Sequence, residues 1–144
     1  MQQDSTIPIA QVIDLAVAPV FLLLGIGAML GVMTSRLARV IDRARALEGQ
    51  LRTTTVDATP VHKELATLSR RAKLAGWSIT LCTVTALLVS AVIAILFLAT
   101  FFGFDASATV ALLFIAAMLA FILGLLFFLR EIFLATANLR IGPR

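Results

Sequence analysis

Nine residues near the start of this 144-residue chain share one helical face when read in steps averaging about 3.6 residues: Asp14, Ala18, Phe21, Gly25, Ala28, Val32, Arg36, Arg39 and Arg43. An acid at one mouth, a band of small and apolar side chains and a basic ladder at the other mouth would suit an ion path in a ring of subunits. Rings of charge and apolar constrictions are how such paths select and gate. Asp14, Phe21, Gly25, Val32, Arg36 and Arg39 are therefore the candidate pore-lining residues. An ordinary membrane helix gives the same stripe, with its acid in outer water and its arginines at the inner surface.

A second constellation is Arg130 with Glu131 in FLREIFLAT. Adjacent helical residues point about 100° apart, so each is expected to meet a different helix rather than its neighbour. Glu131 is assigned to Arg36 or Arg39, and Arg130 to lipid phosphate or Asp42. Catalytic chemistry finds no materials in one chain. The single histidine, His62, falls near an exposed tip and the single cysteine, Cys82, within an apolar run, so neither a metal site nor a Cys/His couple assembles. The glycines of GIGAMLG lack the strand context and lysine of a phosphate loop. No enzyme activity, cofactor or metal is expected, and no disulfide within the subunit.

The elements that must position these residues follow from charge. Between Asp14 and Arg36 lie 21 residues without a charged side chain, between Lys73 and Asp105 there are 31, and between Asp105 and Arg130 there are 24. At about 1.5 Å per residue each exceeds the roughly 30 Å apolar core of a bilayer, where backbone groups must satisfy one another within a helix. A composition 60% hydrophobic and 14% charged agrees. The expected fold class is all-α, integral membrane, with three transmembrane helices at about 13–35, 76–101 and 107–129 in one membrane domain.

All twelve lysines and arginines fall on one side of these spans: none in residues 1–14, nine from Arg36 to Lys73, none in 102–108 and three after Leu129. Positive-inside bias then places the N-terminus outside and the C-terminus in the cytoplasm. MQQDSTIPIAQ has no basic n-region, so the first span is expected to remain in the mature chain. The net charge of +4 is accounted for by topology and anionic lipid, and no nucleic-acid partner is expected.

The first helix is expected to begin near Pro8 or Ile9 and to run past the membrane through SRLARVIDRARALEGQLR, with an apolar seam of Leu37, Ile41, Ala44, Leu47 and Leu51. A second helix starts at Thr59-Pro60 and carries Val61, Leu65, Leu68, Ala72 and Ala75 before Trp77 marks the interface. Together they predict a cytoplasmic antiparallel helical hairpin over about 36–75, its turn near Val56. Asp42 would lie opposite Arg70 and Arg71, with Glu48 and Glu64 near Lys63, Arg45 and Arg52. FFGFDAS is a turn, with Gly103 freeing the backbone and Asp105 or Ser107 capping the third helix. Pro19 is expected to bend the first span, and ATANLRIGPR to form a short amphipathic tail.

Small residues give the spans flat faces for close packing: Gly27 and Gly31 continuing to Ser35, Ala86 with Ser90 and Ala94, and Ala116, Ala120 and Gly124. Three such patterns imply a tight bundle or a homo-oligomer.

LAVAPVFLLLGIGAMLGV, SRLARVIDRARALE and FLREIFLAT with its closing LRI together resemble a bacterial family of small membrane proteins known as domain of unknown function 2721. The resemblance covers nearly the whole chain. It implies a three-span inner-membrane protein and supplies no activity, substrate or site residues. Two classes of function are therefore carried forward. One is a homo-oligomeric assembly with an ion-channel or transport role. The other is a membrane scaffold or regulator whose cytoplasmic hairpin binds a protein partner or anionic lipid.

Overall fold

A computed structural model describes residues 8–53 and 57–137, and these form three helices with no strand among them. They are α1 (Ile9–Thr53), α2 (Thr59–Phe102) and α3 (Ser107–Ala137). Each is long and apolar enough to cross a membrane. The expected outer segment before residue 8, the turn near Val56 and the tail from 138 onward lie outside the described residues.

Helix boundaries follow local chemistry. At the start of α2, Pro60 stands within the first turn, where a missing N–H costs nothing. Asp57 Oδ1 accepts hydrogen bonds from the Thr59 hydroxyl at 2.7 Å and the Thr59 N–H at 3.3 Å. These donors hold the Asp57 carboxyl below its ordinary range, the hydroxyl contributing most. α2 ends at Gly103, whose φ of 68° is left-handed and whose N–H reaches Ala99 O at 2.8 Å. Ahead of α3, Asp105 Oδ1 accepts from the Ser107 N–H at 3.0 Å and its hydroxyl at 2.7 Å. The backbone donor first and the hydroxyl second lower the Asp105 carboxyl as well. α1 runs helical without interruption through Pro19, which is buried.

The packing is ordered by sevens. On α1 the buried residues include Val12, Pro19, Ile26, Met33, Val40 and Leu47, each seven positions from the last. On α2 two such rows run in parallel, Leu68, Ala75, Cys82 and Val89 beside Ser78, Thr85 and Val92. α3 buries Ala117, Gly124 and Glu131. A seven-residue period is slightly shorter than two full α-helical turns, so helices that keep it wind around one another with a left-handed supercoil.

α2 is the central element, packed against α1 on one side and α3 on the other. Pairs between α1 and α2 join rising numbers on one to falling numbers on the other: Met33 with Ser78 and Cys82, then Arg43 with Glu64. Two apolar clusters form along this line. Ile26, Met33 and Cys82 gather Leu30, Phe121 and Leu125, while Val40, Leu47 and Leu68 gather Ala44, Leu65 and Ala72. The seam expected on α1 is shifted at one place. Ile41 is 37% exposed and Val40 is buried, because the period set by Ile26 and Met33 reaches position 40 and not 41.

Candidate functional site

Glu131 is buried to 1% side-chain exposure at the end of the long apolar run of α3. Two guanidiniums converge on it. Arg36 of α1 places Nε and Nη2 each 3.0 Å from Oε2. Arg71 of α2 places Nε at 3.1 Å and Nη2 at 2.9 Å from Oε1. Oε1 thus accepts two N–H groups from Arg71, and Oε2 accepts one from Arg36 with a second guanidinium nitrogen in ion-pair contact, so both oxygens are engaged. The cations keep some water, with Arg36 32% and Arg71 19% exposed, and Arg36 also lies 5.7 Å from the Phe128 ring centroid. One carboxylate ties all three helices together at the level where their apolar runs end.

Seven residues deeper on α2 and α3 lies a second cross-link. The Ser78 hydroxyl donates to Gly124 O at 2.7 Å, with Met33 Sδ 3.3 Å from Ser78 Oγ and Cys82 Sγ 3.8 Å from that sulfur. The approach depends on Gly124 having no side chain. A Cβ there would stand 3.2 Å from Cys82 Sγ, 3.2 Å from Leu81 Cβ and 3.4 Å from the Ser78 carbonyl oxygen. Every buried side-chain nitrogen and oxygen among the described residues has a hydrogen-bond partner.

Alongside the carboxylate, α1 and α2 enclose a groove of about 220 Å³ lined by Arg36, Arg39, Val40, Arg43, Leu68 and Arg71. Arg43 pairs with Glu64 at 3.0 Å, both partners substantially exposed. Arg39 is exposed and makes no ion pair among the described residues.

The residues singled out from sequence divide clearly. Of the stripe, Asp14, Ala18, Phe21, Gly25, Ala28, Val32, Arg39 and Arg43 are exposed on α1, and only Arg36 turns into the bundle. Gly27 and Gly31 are open, with nothing within 4 Å of an added Cβ, and Ala116 is exposed and Ala120 half-buried. Of the small residues on α3, Gly124 makes the close approach. The assignment of Glu131 to Arg36 agrees with the geometry. Arg71, assigned to Asp42, instead shares Glu131, and Glu64 takes Arg43 rather than Arg45 or Arg52. Asp42, Arg70 and Arg130 are exposed without ion pairs among the described residues. His62 is exposed, its Nδ1 2.8 Å from Ala58 O, and Cys82 is buried and free. No group of three metal-capable side chains occurs among the described residues.

Sequence reasoning missed the Arg71 contact, the Ser78 cross-link and the groove. The period of seven carried the signal: Glu64, Arg71, Ser78 and Thr85 form one row on α2, and Gly124 and Glu131 one row on α3.

A family described as protein of unknown function (DUF2721) matches residues 16–141. No curated protein and no solved structure matches the chain.

Proposed function

The chain belongs to the DUF2721 family of proteins of unknown function, and on that premise we propose that it acts as a homo-oligomeric assembly in the bacterial inner membrane. Its N-terminus lies outside and its C-terminus in the cytoplasm. The outward face of α1 forms the contact between copies and encloses a path for ions. The supporting observation is the direction α1 faces: six of the nine stripe residues, Asp14, Ala18, Phe21, Gly25, Ala28 and Val32, are exposed and line no groove against α2, and Gly27 and Gly31 lie open beside them. In a closed ring Asp14 would stand at the outer mouth, with Phe21 and Val32 as apolar constrictions. Arg36 and Arg43 are engaged by Glu131 and Glu64, so Arg39 is the cation left for the inner mouth. Catalysis has no part in this proposal.

The test is the mass of the intact complex in nanodiscs, followed by ion flux in liposomes. A ring of four or more subunits whose flux changes with Asp14→Asn and Arg39→Gln supports the reading; a monomer or dimer, or flux unaltered in both variants, removes it.

A second reading is a scaffold in which the charged parts of α1 and α2, about 36–75, stand in the cytoplasm as an antiparallel hairpin and bind a protein partner or anionic lipid. The arginine-lined groove favours it. Charge reversal near residues 57–63 should then release a co-purifying partner, and gentle extraction that yields no partner or lipid counts against it.

A further inference from the structure

Arginines 36, 39 and 43 recur at steps of three and four and so share one face of α1, and that face meets Arg71 of α2 across the groove. Its floor is apolar, made by the buried Val40 and Leu68. Around it four guanidiniums stand against two carboxylates, Glu131 and Glu64, leaving two net positive charges. Both Glu131 oxygens are already engaged by guanidiniums, so the carboxylate does not meet an incoming anion unpaired. Arg36 and Arg71 each turn only Nε and Nη2 toward Glu131, which leaves Nη1 of each for another acceptor, and Arg39 has all of its donors. A volume of about 220 Å³ is below the roughly 300 Å³ at which sites for drug-sized ligands begin, and it fits a compact anionic group. The position is also particular. The three residues of the carboxylate cross-link sit where each helix passes from apolar to charged sequence, and Trp77, 61% exposed, lies six residues further along α2. Aromatic side chains of this kind mark the headgroup level of a bilayer.

We propose that this groove is a binding site for a phosphate group, carried by an anionic phospholipid headgroup or by a small soluble phosphate. Guanidinium forks match phosphate oxygens in geometry and charge, and four of them within one groove form a built site rather than a diffuse positive surface. The proposal deepens the scaffold reading by naming what the base of the hairpin holds, and it does not require the ring.

The experiment uses the intact protein with two probes. In nanodiscs containing phosphatidylglycerol and phosphatidylcholine, native mass spectrometry reads which lipid stays bound. In nanodiscs of phosphatidylcholine alone, inorganic phosphate is titrated and the thermal midpoint followed. Arg39→Gln is the diagnostic variant, since it breaks no ion pair; Arg45→Gln, on the other side of the hairpin, removes the same charge away from the groove. Selective retention of phosphatidylglycerol, weakened about tenfold by Arg39→Gln and little changed by Arg45→Gln, supports the site with a lipid occupant. A saturable response to phosphate that Arg39→Gln abolishes supports it with a soluble one. Equal retention of both lipids with no phosphate response overturns the proposal, as does an equal loss in the two variants. Subunit mass is recorded for each variant, so failure of this site and failure of the oligomer are read separately.

Discussion

Replacing Glu131 with Gln keeps the side chain's size and removes the charge that two guanidiniums share. Charge-assisted hydrogen bonds contribute about 1.5–3 kcal/mol net each, so the two arginine contacts amount to roughly 3–6 kcal/mol. Glutamine still accepts from one guanidinium through its Oε1, a charge-assisted bond, so about one arginine contact, roughly 1.5–3 kcal/mol, is lost. The arginines are 32% and 19% exposed and recover part of their hydration, which places the loss in the lower half of that range, about 1.5–2 kcal/mol. Reversible unfolding in mixed micelles, followed by the fluorescence of the single tryptophan, Trp77, measures it. The arginines should be non-additive. Arg36→Gln or Arg71→Gln alone leaves Glu131 with one partner, Arg71 being the costlier loss because it is the less exposed. Removing both strands a buried carboxylate, so the double variant should lose more than the sum of the singles. Adding Glu131→Gln to it should restore part of the loss. A change below about 0.5 kcal/mol for Glu131→Gln, or a triple variant no more stable than the double, would refute the reasoning.

Glycine substitutions should separate packing within the chain from packing between chains. Gly124→Leu should split α3 from α2, whereas Gly31→Leu should leave the monomer's stability within about 0.5 kcal/mol, because the position is open, and should reduce subunit mass if that face joins copies. Thermal midpoint and native mass read the two effects; a stable Gly124→Leu protein would contradict the close approach. Gly103→Ala, forced to a φ of 68°, should cost about 1–2 kcal/mol by thermal unfolding, and a neutral result would mean that the turn differs. The Asp105 carboxyl is lowered in the fold, so its cap is complete above the ordinary carboxylate range and lost as pH falls through the lowered value. Amide protection of Ser107 should therefore decline on acidification and become flat in Asp105→Asn; protection unchanged by pH in the wild type would dismiss the cap.

The number and limits of the helices were legible because charge is absent from three long runs and because Pro60, Gly103 and Asp105 each impose a local geometry. Glu131 was legible as a residue needing a partner on another helix. Which partner was not, since register between helices is set by packing and not by charge. Val40 and Ile41 are equally apolar neighbours, and only the phase inherited from Ile26 and Met33 decides which turns inward. The same phase brings Arg71 to Glu131 and Glu64 to Arg43, leaving Asp42 on the open face. Gly27, Gly31 and Gly124 read alike in sequence, yet only the last meets a neighbour, because a small side chain permits close approach without requiring it.

The carboxylate shared by Arg36 and Arg71 stands 95 residues after the first and 60 after the second. A chain made from its N-terminus therefore has both arginines in place, facing one another across α1 and α2, before their common counter-ion exists. Until α3 arrives, the two guanidiniums lack the carboxylate they share, and only its arrival supplies the bridge. The last span thus closes the bundle, and a shortened chain that stops before Ser107, and so lacks α3, should leave Arg36 and Arg71 without the carboxylate that joins them.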